Sequence, residues 1–550
     1  MTQRRTQDDI NTPTGRPFGP VSVQLSSTAP SGAPLISGSH ISLSLELDRW
    51  TDWVGLDSRN EFFFNTLDNL AQITGEPPSI RIGANSEDHT NFNGALRGSQ
   101  TAFPPPTTTV PYPEASEIVV GDTYYQAARF LPPETHVIWG VNFGQNNLTA
   151  AVLEAQSIAK AFTSPAVTDE GITLDLVEIG NEADLFRNNG FRSSTYNISQ
   201  YVKETVIIVV GRVDGQASLA TFLWPPVFPR HQKGKFFGGA FADLVFKHQL
   251  FTTGNVCKWC ILSSEPGSQI STISQHHYSG SFCSGKWWPP AGFDDEIDIR
   301  SNLSHIFLIL RLLVRGIWTT FWERPIAMRV MWVRYHSTFI KKKLKRIQGA
   351  PGVSNVAGAA LWTLDYALFA RTLNISKVYF HEGIGFKYNL IQPVTLNRST
   401  TDGSDLPAPL PPHVQPQYYA AVIAAEAIGD GGSTKVSEIA VNNSRIAGYA
   451  FYEADELARA VFINSEAFLS DSTNRSRVHL DFAFAGTTAT TMSVKRLSIG
   501  HADDTSGLLW GGQTYETPDG RVSGTLSEEQ VSTEAGVDLA ETEVILVKFK

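Results

Sequence analysis

Residues 174–186, LDLVEIGNEADLF, constrain the fold more than any other stretch of the chain. Leu174 to Ile179 carries apolar residues without clean alternation, the pattern of a parallel strand covered on both faces. The strand stops abruptly at Gly180-Asn181-Glu182. A carboxylate just past the C-terminal end of such a strand sits where parallel α/β barrels keep their chemistry. Glu182 is therefore a candidate acid or base, and Asn181 a candidate partner for a substrate hydroxyl. The same two residues would also suit a loop that caps the next helix.

The surrounding chain repeats the pattern. Strands are predicted at 41–47, 79–82, 136–143, 236–241, 270–278 and 377–381, with helices at 61–74, 148–162 and 357–373. Polar residues collect at the strand ends: Glu46, Asn85, Asn142, Asn181 with Glu182, His276 with His277, and His381 with Glu382. The alternation predicts a (β/α)8 TIM barrel over residues 35–415. After about residue 430 the pattern turns to short strands spaced by turns, at 447–452, 458–464, 478–484, 491–499 and 543–548. That predicts a C-terminal β-sandwich over 416–550. Residues 1–34, polar and rich in Gly and Pro, read as a disordered leader.

Composition narrows the function classes. A net charge of -10 argues against a polyanion-binding surface, and hence against nucleic acid as a partner. Cys257 and Cys260 form a lone CxxC, with Cys283 the third cysteine; without a second pair this is a weak zinc or redox signal. The most apolar run, 306–318, is broken by Arg311 and Arg315 and is too short to span a bilayer. The N-terminus lacks the apolar core of a signal peptide. Asn-x-Ser/Thr sites at Asn147, Asn197, Asn302, Asn374, Asn397, Asn442 and Asn474 lean towards an extracellular setting.

Seven stretches together are specific: SLSLELDRWTDWVG, PPSIRIGANSEDHTNFN, HVIWGVNFGQNNLTAAVLEAQSIAKAF, LDLVEIGNEADLF, ISQHHYSGSFCSG, GAPGVSNVAGAALWTLDYALFA and KVYFHEGIGFKYN. In these the chain resembles the fungal β-glucuronidases of glycoside hydrolase family 79, relatives of heparanase. The resemblance implies a retaining exo-glycosidase that needs neither metal nor cofactor. It would act on terminal glucuronic acid, or its 4-O-methyl ether, of an oligosaccharide or proteoglycan-type glycan, with no membrane partner. It implies Glu182 as general acid/base, its pKa raised by burial and a neighbouring carboxylate. It also implies sugar contacts at Glu46, Asn85, Asn181 and Tyr278, and a uronate contact at Tyr388. From the residues alone, Glu46 would equally pair with Arg49 or Arg81, and both tyrosines would serve as core aromatics.

The pattern breaks where the family's nucleophile is expected, in a Gly-Glu-Thr-Asn-Ser motif shortly before GAPGVSN. Residues 306–348 contain no such motif, and barrel strand seven is expected to be lost with it. Their basic run KKKLKR reads as a solvated face. A displaced reading frame accounts for the loss. Written back into codons and moved by two nucleotides, FWERPIAMRV (321–330) reads LGETNSYAC. Moved by one nucleotide, WWPPAGFDDEID (287–298) reads GGLLQDLMMKS, which resembles the family between SFCSG and IRSNLS. The remainder up to 348 reads as retained intron, and 205–234 departs from the family as well. Glu323 belongs to the displaced frame and is not a candidate nucleophile.

Overall fold

The computed structural model describes residues 20–204 and 348–550, except 109, 198, 202, 350, 487 and 488. Between these blocks it describes the backbone of strands 236–241, 270–278, 281–283, 286–288, 297–298 and 330–334. Cys257, Cys260, Glu323, the basic run and residues 205–234 lie outside the described residues.

Five parallel strands make the centre. In spatial order they are Lys377–Glu382, Ile41–Glu46, Ile80–Gly83, His136–Val141 and Thr173–Ile179. Register aligns their C-terminal ends on one rim: Glu382 opposes Leu45, Glu46 opposes Gly83, and Val141 opposes Ile179. Helix Glu61–Thr74 starts where the Asn60 side chain accepts from the Phe63 amide and stops at the left-handed Gly75. Helix Leu148–Phe162 buries Ala151, Ala155, Ile158 and Phe162 at helical spacing. Its Phe162 ring meets Trp139 of strand His136–Val141 edge-on, 6.1 Å between centroids.

Parallel backbone pairing continues on both sides of this sheet. Phe236–Phe241 pairs with Thr173–Ile179, and Ile270–Tyr278 with Phe236–Phe241. Val330–Arg334 pairs with Ile270–Tyr278 and with Lys377–Glu382. This corrects the expectation that 306–348 contributes no parallel strand at that place. The string VMWVR is β-branched and aromatic enough to take the place. It contains no acidic residue, and it ends in Arg334.

The C-terminal region is two packed sheets. One runs Lys435–Ile439, Ile446–Glu453, Glu456–Asn464, Glu543–Phe549, Thr491–Ser498 and Leu509–Trp510. The other joins Arg477–Ala485 to Val537–Ala540 and, on its far side, to Val21–Ser26. The last strand corrects the reading of 1–34 as a disordered leader. Val21, Val23 and Leu25 alternate with more exposed residues and enter the sandwich core beside Leu480 and Leu539. The period-two pattern in VSVQLS was the signal, hidden by the polar composition around it.

The boundary at 416 also needs correction. Helix Gln417–Ile428 is buried nearly all round and packs against helices Ala357–Thr372 and Glu61–Thr74. Tyr418 ties it to the latter, donating to the Thr66 carbonyl at 2.6 Å. A helix buried on nearly every side is an interior element, and its Glu426, which accepts from Lys495 at 2.7 Å and from Trp510 at 2.9 Å, ties it to the sandwich as well. Among the described residues, no helix is long and apolar enough to cross a membrane.

Candidate active site

The turn at Gly180-Asn181-Glu182 depends on its glycine. Gly180 has φ +74°, and a Cβ there would lie 2.7 Å from Cβ and Cδ1 of Phe143. Glu182 follows at φ +53°, ψ 48°, a left-handed conformation that a glutamate adopts only when its surroundings impose it. The side chains of Asn181 and Glu182 are buried, 2% and 5% exposed.

Two buried groups hold this turn. Asp88 accepts from the amides of Phe143 (3.3 Å), Gly144 (2.7 Å) and Asn181 (3.3 Å), so one carboxyl ties two strand ends together. Arg81 forms a two-pronged ion pair with Glu178, at 2.8 and 2.6 Å, and donates to Asn181 Oδ1 at 3.1 Å. An arginine has only donors, so the atom facing it must be the amide oxygen. Asn181 Nδ2 is thereby turned away, a buried donor without a partner among the described residues. Such a donor costs stability unless something else accepts from it.

The other sequence-predicted residues occupy the same rim. Glu46 Oε2 accepts from the Ser86 hydroxyl (2.7 Å) and amide (3.2 Å), and its Oε1 lies 3.1 Å from His381 Nε2. Arg49 contacts Asp52. Asn85 donates to Glu114 at 2.8 Å. The Tyr388 ring packs against His381, 6.2 Å between centroids, and edge-on to Phe386 at 5.4 Å. Tyr278 closes strand Ile270–Tyr278 opposite Arg334; its side chain lies outside the described residues. Glu382 is engaged elsewhere: its carboxyl accepts from the amides of Leu390 and Ile391 and fixes the loop between them. Asn142 likewise serves the backbone, bonding the Thr90 carbonyl and the Gln145 amide.

Sequence reasoning missed Asp88 and the Arg81–Glu178 pair. Both lie within motifs quoted above, but their roles arise from contacts between residues 55 or more positions apart. Only the rarity of fully buried charge, visible in alternating strand positions, would have hinted at them.

Burial sets the ionisation of this rim. Asp88 is pushed up to about 8 by burial, against the downward pull of its three amide donors. Asp48, which accepts from the Ala115 amide, is pushed up to about 8 by burial and by the neighbouring Glu46 carboxylate. Each binds a proton in the folded state that the unfolded chain has released above about pH 4. Their stabilisation is complete below that pH and is lost as pH rises through 8. His40, held down to about 4 by burial, works in the opposite sense, but only below about pH 6.5. Between pH 6.5 and 8 the carboxyls therefore act alone among these three. The melting temperature is expected to fall by a few degrees across that window; a flat or rising profile in differential scanning calorimetry would contradict the assignment.

The chain is similar to several known proteins. Residues 448–546 match the glycosyl hydrolase family 79 C-terminal beta domain. The chain is 24% identical over 514 residues to a beta-glucuronidase of Aspergillus niger, spanning 90% of this chain and 86% of that protein. It is 24% identical over 538 residues to a beta-glucuronidase of Neurospora crassa, spanning 90% and 87%. In fold it is similar to the 4-O-alpha-L-rhamnosyl-beta-D-glucuronidase of Fusarium oxysporum. The TM-score is 0.65 at 19% identity, over 96% of this chain and 100% of that one. A family GH51 arabinofuranosidase of Xanthomonas axonopodis pv. citri gives 0.55 at 11%, over 96% and 100%.

Proposed function

We propose that this chain, which belongs with glycosyl hydrolase family 79, carries the site of a retaining exo-glycoside hydrolase for terminal β-linked glucuronic acid or its 4-O-methyl ether. In this reading the eight parallel strands close into a (β/α)8 barrel, the β-sandwich is an accessory domain, and the setting is extracellular. The observation that carries it is the buried Asn181–Glu182 turn past a parallel strand, with Asn181 Nδ2 left as a spare donor. The names of the two relatives supply the substrate class.

The chemistry follows from the residues. Glu182 protonates the leaving oxygen and later takes a proton from the attacking water. The first step needs its protonated form and the second its carboxylate. Asn181 donates to a ring hydroxyl, while Glu46 and Asn85 accept from or donate to others. Tyr278 and Tyr388 frame the uronate. A retaining enzyme also needs a carboxylate nucleophile roughly 5 Å from the acid/base. In this chain strand Val330–Arg334 contains no carboxylate residue, and the reading takes the nucleophile to be the glutamate of the displaced-frame motif.

The reading expects the 550-residue chain to bind D-glucuronate in titration calorimetry. Asn181→Ala should weaken that binding by about tenfold, the worth of one buried hydrogen bond. Absence of any binding heat at millimolar sugar would sink the proposal.

A further inference from the structure

Lys387 is the buried cation that the site as described does not use. It is 4% exposed, on the loop between Glu382 and Leu390. Among the described residues its Nζ has one contact, the Gln348 carbonyl at 3.4 Å, a carbonyl that already accepts from the Lys387 amide at 2.9 Å. No carboxylate of the described residues lies within ion-pair distance of it. Glu382, close in sequence, is turned to the amides of Leu390 and Ile391, and burial pushes it towards its neutral form. An ammonium has three donors, so at least two are unused among the described residues.

The loop around this lysine is rigid. Asn389 bonds Gly383 twice, at 3.0 and 2.6 Å, and Gly385 donates to Gln392 at 2.9 Å. The next residue, Tyr388, lies against His381, which in turn contacts Glu46. A buried charge without a counter-charge is expensive, and burial alone lowers this ammonium to about 8. Folds keep such groups where a ligand supplies the missing partner.

We infer that Lys387 receives the carboxylate of the sugar and so sets the preference of the site for uronic acids over neutral sugars. This rests on the glucuronide reading above and names the group that enforces it. The neutral hexose of the same shape leaves the ammonium uncompensated, so discrimination comes from the site's own unpaired charge.

The test compares D-glucuronate with D-glucose by titration calorimetry on the full chain and on Lys387→Met, with melting temperatures for both. The expected result is a preference for glucuronate that Lys387→Met reduces by about tenfold to a hundredfold. The melting temperature should be unchanged or raised, because the substitution removes an uncompensated buried charge. A structural lysine would give the reverse, an intact preference and a lower melting temperature, and that would overturn the inference while leaving the glucuronide reading in place. If the full chain binds neither sugar, the reading of the site falls and this inference with it. Should Lys387→Met not fold, Lys387→Gln poses the same question with a neutral donor in place; a retained preference there would equally overturn the inference.

Discussion

A chain carrying LGETNSYAC in place of residues 321–330, with the displaced-frame string also restored at 287–298, is expected to release aryl aglycone from a β-glucuronide roughly 10³-fold or more faster than the chain as written. The reason is the division of labour in retaining hydrolysis. The acid/base can protonate the leaving oxygen, but the anomeric carbon must be captured by a second carboxylate for a covalent intermediate to form. The written chain offers at that strand VMWVR, which ends in a cation. Time courses on a nitrophenyl glucuronide measure the difference. Equal rates for the two chains would mean that the added glutamate is not the nucleophile, and the catalytic reading would lose its second half.

The second large effect concerns Glu182. In the restored chain, Glu182→Gln is expected to lower kcat by about 10²- to 10⁴-fold on glycosides with poor leaving groups, the usual worth of a positioned general acid. On nitrophenyl glycosides, whose leaving group needs little protonation, the first step should suffer far less. Hydrolysis of the intermediate would then become limiting, because the same residue serves as base. A burst of aglycone followed by a slow steady state is the expected trace. A uniform loss across leaving groups, without a burst, would instead point to a merely structural role for the left-handed turn that Glu182 occupies.

The sequence made the central architecture legible because its elements are strongly periodic. Helices Glu61–Thr74 and Leu148–Phe162 follow directly from apolar spacing. What it hid has physical causes. Val21–Ser26 finds its partner strand more than 450 residues away, so its short alternating pattern, set in polar sequence, names no partner. Val330–Arg334 arises inside a stretch with no family pattern, where β-branched and aromatic composition alone decides. At the candidate site, the places of Glu46, Asn85 and Asn181 at strand ends were legible, while the sugar-contact roles of Glu46 and Asn85 came from the family resemblance. The Arg81–Glu178 pair that orients Asn181, and the Asp88 carboxyl that ties Phe143, Gly144 and Asn181 together, were not. Residues that hold a site in shape are read from distances, and a sequence carries none.

The most direct test of the account is the sequence of the messenger RNA across codons 284–350. The account predicts a message that encodes LGETNSYAC shortly before Gly349-Ala350-Pro351, giving a two-carboxylate hydrolase whose nucleophile is the recovered glutamate. A message that encodes FWERPIAMRV in frame would contradict it. The displaced-frame glutamate would then be no part of the natural protein, and the two-carboxylate reading would lose its nucleophile.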